Sequence, residues 1–171
     1  VTSQSEHSMV WKSEAESNGG QKVYSLEGGK NYAVAMGNID DDDNLEILVG
    51  SNSGKIFAFD GKTYETDWVS PVLDKPPIAI AIGDLNNDGQ NEIAVSTGIL
   101  GEPKGEDGDG AEGYLYIFER SGNNIVEAYQ SDNIDTALGL TISELDGSTY
   151  PEIGIATGYL EIESATAGTT S

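Results

Sequence analysis

The sequence contains no cysteine and only one histidine in 171 residues. Without cysteine, the chain can form neither disulfide bonds nor thiolate metal sites, and catalysis by a Cys–His pair is excluded. The single histidine, His7, lies in a polar N-terminal stretch, and we assign it no role. Ser-His-Asp catalysis and zinc sites of the usual kinds are therefore not expected.

Basic residues and long apolar runs are also scarce. Eight Lys and Arg residues stand against 30 Asp and Glu residues, which gives a formal net charge of −22. A surface this negative repels nucleic acids and anionic membranes and attracts cations, although acidity can also serve solubility alone. No apolar run reaches the roughly 18 residues of a membrane span. We therefore expect neither nucleic-acid binding nor membrane insertion.

The most informative feature that is present is a segment that occurs three times. The copies are "AMGNIDDDDNLEILVGS" (35–51), "AIGDLNNDGQNEIAVST" (81–97) and "TISELDGSTYPEIGIAT" (141–157). In each copy a β-type run leads into a loop with oxygen-bearing side chains at alternate positions, and a Glu-Ile pair opens the next β-type run. With 22 glycines and no convincing helical period, the chain is predicted to be all-β.

Each repeated unit reads as four strands, in the order A, loop, B, turn, C, link, D. Units of about 45 residues with four short strands are typical of β-propeller blades. The chain then contains twelve predicted strands in the order D-ABCD-ABCD-ABC. The predicted bounds are an orphan strand D at 8–16, blades at 32–73 and 77–133, and a partial blade at 137–165, with a surface insertion at 99–112.

Three blades' worth of strands is too few for a closed ring of four to eight blades. The sequence begins with valine rather than methionine, and we expect a processed or excised piece of a longer product. The terminal strands would then pair with other segments of the same propeller or with other copies of the chain.

The loop between strands A and B has the composition of a calcium site. Ca²⁺ takes six to eight oxygen ligands, and a short loop can supply them from positions 1, 3, 5, 7 and 9, with position 7 using its backbone carbonyl. In the second unit these positions are Asp84, Asn86, Asp88, Gln90 and Glu92. In the first they are Asn38, Asp40, Asp42, Asn44 and Glu46, and in the third Glu144, Asp146, Ser148, Tyr150 and Glu152.

The same loop pattern allows a metal-free interpretation, in which the side chains hold an Asx-rich turn by themselves. An EF-hand is rejected, because no helix-forming stretch flanks the loop and the closing acid comes at position 9 rather than 12. In the second unit Gly89 permits the bend that a chain curling around an ion requires.

The second loop, "GDLNNDGQNEIAV" (83–95), resembles the calcium loops of FG-GAP/VCBS-type propeller repeats, and "NLEILVGSNSGKIFAFDGKT" (44–63) is similar to their strands B and C. The resemblance covers about residues 32–164. The family pattern D-x-D/N-x-D-G-x-x-D/E is met almost fully in the second unit. The first unit departs from it at Asn38 and Asp43. The third departs at Glu144, Ser148 and Thr149, which leaves calcium binding there open.

The resemblance implies an extracellular, calcium-stabilised β-propeller segment that acts in adhesion or assembly rather than catalysis. Its partner would be a protein or glycan at a cell surface, or other copies or segments of the same propeller. Two alternatives remain open. One is the propeller of a polysaccharide lyase or hydrolase, or a carbohydrate-binding module, for which the repeated aromatics Trp11, Trp68 and Tyr129 could stack on sugars instead of packing between sheets. The other is a strand-exchanging subunit of a surface filament or layer.

Overall fold

The computed structural model describes residues 7–13, 20–27, 31–40, 42–99 and 112–158, and up to residue 31 it describes the backbone only. Across these ranges the fold is built from β-strands without a helix, as the composition predicts. Consequently, no helix in the described ranges could cross a membrane. The strands are β1 His7–Ser13, β2 Gly20–Glu27, β3 Asn31–Gly37, β4 Glu46–Ser51, β5 Ile56–Asp60, β6 Thr66–Val69, β7 Pro77–Gly83, β8 Glu92–Thr97, β9 Leu115–Ser121, β10 Asn124–Gln130, β11 Ala137–Ser143 and β12 Glu152–Thr157.

Two four-stranded antiparallel sheets form the centre of the described structure. The first contains β3, β4, β5 and β6 in that order, and the second contains β7, β8, β9 and β10. Each is a meander in which consecutive strands are neighbours, because short turns can join antiparallel strands directly. Both sheets overlap the ranges predicted for them, 32–73 and 77–133.

Strands β11 and β12 form a two-stranded antiparallel sheet within the range predicted for the third unit. The strand expected at 158–164 lies outside the described residues, apart from Gly158. Most of the predicted insertion, residues 100–111, lies outside them as well. The propeller arrangement therefore remains a prediction, whereas the antiparallel four-stranded sheets are confirmed.

The first strand, β1, pairs with β2 in a separate two-stranded sheet. The repeat does not predict strand β2, because its sequence "GQKVYSLE" has no counterpart in the other units. The segment expected to be an orphan strand therefore has a partner within this chain. The backbone hydrogen bonds along one edge of β1 are made by β2, so this edge does not need a distant strand of the fold as its partner.

The pairing of strands A and B follows one register in all three units. Each first residue of strand B is a glutamate that lies opposite the last residue of strand A, in the pairs Gly37↔Glu46, Gly83↔Glu92 and Ser143↔Glu152. Each pair also carries an irregularity at the start of strand A, at Asn31/Ala33, Pro77/Ala79 and Ala137/Gly139. This common register places the three A–B loops at the same end of their sheets.

The A strands of successive units pack against one another, with β3 against β7 and β7 against β11. Glycine permits the close approach at two equivalent positions. A Cβ atom on Gly37 would lie 2.8 Å from Ile82, and one on Gly83 would lie 3.0 Å from Ile142. Larger side chains at these glycines would therefore push neighbouring sheets apart.

The main apolar core lies between the first two sheets. It includes Leu48 and Ile56 of the first sheet and Ile93 and Phe118 of the second, all almost fully buried. Trp68 of β6 packs edge-on against Phe118, with ring centroids 5.3 Å apart. The prediction that these aromatics pack between sheets is therefore confirmed for Trp68. Tyr129 does not pack in this way to the same extent, because its side chain is 53% exposed. The side chain of Trp11 lies outside the described residues.

Candidate metal sites

The glutamate that begins strand B closes each A–B loop at its base. One carboxylate oxygen accepts a hydrogen bond from the backbone N–H of the second loop residue. The N–H of Ile39 donates to Glu46 at 2.7 Å, that of Leu85 to Glu92 at 2.6 Å, and that of Leu145 to Glu152 at 2.7 Å. These acids thus have a structural role in addition to the ligand role predicted for them.

In the first loop, alternate side chains accept hydrogen bonds from the backbone two residues further on. The Asp40 N–H donates to Asn38 Oδ1 at 3.2 Å, and the Asp42 N–H donates to Asp40 Oδ1 at 2.8 Å. The Asn44 N–H donates to Asp42 Oδ1 at 2.6 Å. This series is the Asx-rich turn of the metal-free interpretation, and it curls the chain so that the side chains converge.

The first loop also meets two acids that the sequence pattern does not include, Asp60 and Asp67. Carboxylate oxygens of Asp42, Glu46 and Asp60 lie within 4.8 Å of one another, and so do those of Asp40, Glu46 and Asp67. Asp60 ends β5 and lies opposite Glu46 in the β4–β5 ladder. The strand pairing therefore brings acids from three strands to one loop.

The sequence carries a signal for one of these two acids. Strand C ends in an acid in both complete units, at Asp60 in "GKIFAFD" and at Glu119 in "GYLYIFE". Asp67 has no such signal, because the position that matches it in the second unit is Ala128. A set of ligands confined to the loop therefore includes neither residue.

Glu46 is the most perturbed acid of this group. Its side chain is fully buried, and its Oε1 atom has no hydrogen-bond partner among the described residues. Burial raises the pKa of Glu46 from 4.5 to about 7, against the opposing effect of the hydrogen bond from Ile39, and the nearby charges of Asp40 and Asp42 raise it further. A buried carboxylate without a compensating partner is a candidate position for a bound cation.

The two strand-borne acids differ in their electrostatics. Partial desolvation raises the pKa of Asp67, although its side chain is largely exposed, and the charges of Asp60 and Asp40 add to this effect. The pKa of Asp60 is lowered, mainly because Thr63 donates hydrogen bonds to its carboxylate. Asn44 also donates its side-chain amide to Asp60 at 3.2 Å and to Asp42 at 2.6 Å. Asp60 is therefore held in place as a carboxylate.

The second loop fits the sequence pattern best, but its polar groups are largely bonded to one another. Asp84 accepts hydrogen bonds from the backbone of Asp88 at 3.1 Å and of Gly89 at 2.8 Å. Asn86 donates to the second oxygen of Glu92 at 3.3 Å. Among the described residues, no three acids of this loop approach within 4.8 Å.

Three further details complete the description of the second loop. Gly89 has a φ of +88°, so the bend assigned to it uses the left-handed conformation that glycine favours. The Gln90 N–H donates to Asp88 Oδ1 at 2.8 Å. Burial raises the pKa of Glu92, the same direction as for Glu46.

The third loop gathers three acids despite its departures from the pattern. Oxygens of Glu144, Asp146 and Glu152 lie within 4.8 Å of one another. The Ser148 hydroxyl oxygen lies 2.7 Å from the carbonyl of Tyr150 and 3.4 Å from Glu152, so it can donate to either. This contact competes for the Tyr150 carbonyl that the sequence pattern predicts as a ligand.

A cavity of about 610 Å³ opens beside the acids of the first loop. Asp40, Asp67 and Trp68 line it from the first sheet, and Arg120 and Asn124 line it from the second. Carboxylate oxygens within 4.8 Å of one another, as in the first loop, suit a hard cation such as Ca²⁺, whereas Mg²⁺ requires tighter octahedral geometry.

Comparison with known proteins does not identify a family for this chain. No protein-family model matches the sequence, and no curated protein is significantly similar to it.

Proposed function

We propose that this chain is a calcium-binding segment of an extracellular β-propeller of FG-GAP/VCBS type, with a structural role in adhesion or protein assembly. The observation that carries the proposal is the common register of the three A–B loops, each closed by a buried or half-buried glutamate. Two of these loops gather three carboxylates within 4.8 Å. Repeated loops that share one strand register are better suited to scaffolding than to a single catalytic centre.

The contacts between sheets support the propeller part of the proposal. In a propeller the innermost strands of neighbouring blades lie side by side around the axis. Strands β3, β7 and β11, the A strands of their units, contact one another in sequence. Gly37 approaches Ile82 and Gly83 approaches Ile142 in equivalent ways. This equivalence supports a constant spacing between neighbouring blades.

Calcium would act on stability in this proposal. Carboxylates held close together repel one another, and a cation that binds only the folded arrangement stabilises it by mass action. Oxygens of Ca²⁺ sites lie 2.3–2.6 Å from the ion, so two ligands on opposite sides are at most about 5 Å apart. The separations in the first and third loops fall within that limit.

Thermal unfolding tests the proposal. We expect the calcium-loaded chain to melt at a lower temperature after excess chelator is added, and calcium in excess of the chelator to restore the original value. Magnesium at the same ionic strength serves as the control and should restore little. An unchanged melting curve in excess chelator would argue against a structural calcium site.

A second candidate function is carbohydrate binding, which the cavity beside Trp68 favours. An aromatic ring next to carboxylates and amides is a suitable surface for a sugar. Titration with acidic and neutral oligosaccharides, followed by the fluorescence of the two tryptophans, measures sugar binding to the chain. Release of reducing sugars from acidic polysaccharides would in addition identify a lyase or hydrolase.

A further inference from the structure

The acids of the first unit divide into two groups that share one residue. Asp42 and Asp60 lie with Glu46 in one group, and Asp40 and Asp67 lie with Glu46 in the other. The five residues do not form a single group at 4.8 Å. A single Ca²⁺ ion, whose ligands are at most about 5 Å apart, is therefore a poor fit to all five carboxylates.

A second observation indicates that a cation binds beside Glu46. Glu46 is fully buried, and its Oε1 atom has no hydrogen-bond partner among the described residues, while Oε2 accepts from Ile39. Buried polar atoms are nearly always bonded, because an unsatisfied one keeps its full desolvation penalty. The equivalent oxygen of Glu92 is bonded to Asn86 at 3.3 Å, so the unpaired atom distinguishes the first unit from the second.

The combined charge of the five carboxylates also favours two cations over one. When all five carboxylates are ionised, as ligation of a metal requires, they carry a formal charge of −5; one divalent cation reduces this to −3, and two reduce it to −1. Carboxylates can bridge two cations, as they do in two-metal sites where the ions lie about 3.5–4 Å apart. Glu46, common to both groups, is placed to do so.

We propose that the first unit binds two calcium ions that share Glu46, one held with Asp42 and Asp60 and the other with Asp40 and Asp67. This inference rests on the proposed calcium-binding function and adds strand-borne ligands to a site predicted from the loop alone. The two ions would connect β4, β5 and β6 with the A–B loop. The ion beside Asp40 and Asp67 faces the 610 Å³ cavity, where both acids lie on the wall, so water can complete its coordination.

Calcium stoichiometry tests the inference. Calcium chloride is titrated into the chelator-stripped chain, and the number of bound ions is measured by calorimetry and by equilibrium dialysis. Asp67→Asn should bind one ion fewer than the unchanged chain, and Glu46→Gln should bind two fewer. Glu65→Gln, which alters an exposed acid outside both groups, should leave the number unchanged.

Asp67 is exposed on the edge strand β6, so its replacement by asparagine should leave the fold intact, which circular dichroism checks. If that variant fails to fold, Asp40→Asn removes a ligand of the same ion and carries the same expectation. An unchanged stoichiometry in the folded variant overturns the two-ion site, whatever happens to the affinity, and leaves the calcium proposal standing. A chain that binds no calcium overturns both.

Discussion

Replacing Glu46 by glutamine should have opposite effects with and without calcium. In the metal-free protein the buried carboxylate is destabilising, because its pKa is raised from 4.5 to about 7. Glutamine keeps an oxygen that can accept the hydrogen bond from Ile39, and its amide can donate to the neighbouring carboxylates. With calcium bound, the same substitution removes a ligand.

The magnitude follows from the pKa shift of Glu46. A rise from 4.5 to about 7 corresponds to about 3 kcal/mol at about 1.4 kcal/mol per pKa unit. Because the folded state binds the Glu46 proton more tightly, the contribution of this group to the stability of the metal-free protein is fully present below pH 4.5 and is lost as the pH rises through about 7. Glu46→Gln should therefore be more stable than the unchanged chain by up to about 3 kcal/mol at pH 8, with little difference at pH 4.5.

Urea unfolding in excess chelator at pH 4.5 and pH 8, followed by circular dichroism, measures this difference. Glu65→Gln is the matched control, since it removes the same charge from an exposed position next to β6 of the same sheet. The reasoning is refuted if Glu46→Gln destabilises the metal-free protein at pH 8, or if its effect there equals that of the control.

Three further changes test the packing of the sheets and the third loop. Gly50→Ala should destabilise the chain by about 1–3 kcal/mol in chemical unfolding, because the new Cβ would lie 2.6 Å from Pro77 of the next sheet. Trp68→Ala should cost about 3 kcal/mol in the same assay, through loss of the contact with Phe118. Ser148→Asp should raise calcium affinity in calorimetric titration, because it adds a carboxylate beside three acids within 4.8 Å of one another.

Matched variants accompany these changes. Gly139→Ala should be tolerated, since its nearest contact would be 3.5 Å away, and Tyr129→Ala should cost less than Trp68→Ala because Tyr129 is 53% exposed. Equal losses within either pair would contradict the proposed sheet packing. For the third loop, Ser148→Asn replaces the hydroxyl oxygen by an uncharged amide oxygen, and an equal gain in affinity from it would contradict the charge argument.

The repeated segments are sufficient to predict the central sheets. Alignment of the three copies predicts the A–B strand pairs, because a glutamate and a β-type run recur at fixed positions after each loop. Strand β2 escapes this prediction because its sequence occurs once. A repeated sequence pattern therefore predicts only the strands that recur in each unit. Strand β2, which pairs with β1, does not recur and is not predicted in this way.

For the candidate metal sites, the sequence pattern predicts only the residues that lie in the A–B loops. The pattern is most complete in the second loop, whereas the structure gathers three acids in the first and third. In the second loop, Asn86 donates to Glu92, where the first loop has Asp40, which cannot donate as a carboxylate. Asp60 joins the first loop through its pairing with Glu46, and Asp67 joins it from the irregularity in the β5–β6 ladder. Spacing within a loop encodes neither tertiary contact.

The most direct test of the calcium proposal is the free energy of unfolding measured as a function of calcium concentration. A cation that binds the folded chain stabilises it by RT ln(1 + [L]/Kd) per site. Above Kd, each tenfold increase in calcium should therefore add about 1.4 kcal/mol per site, and magnesium at the same concentrations should add much less. A free energy of unfolding that stays constant over the calcium titration would contradict the account.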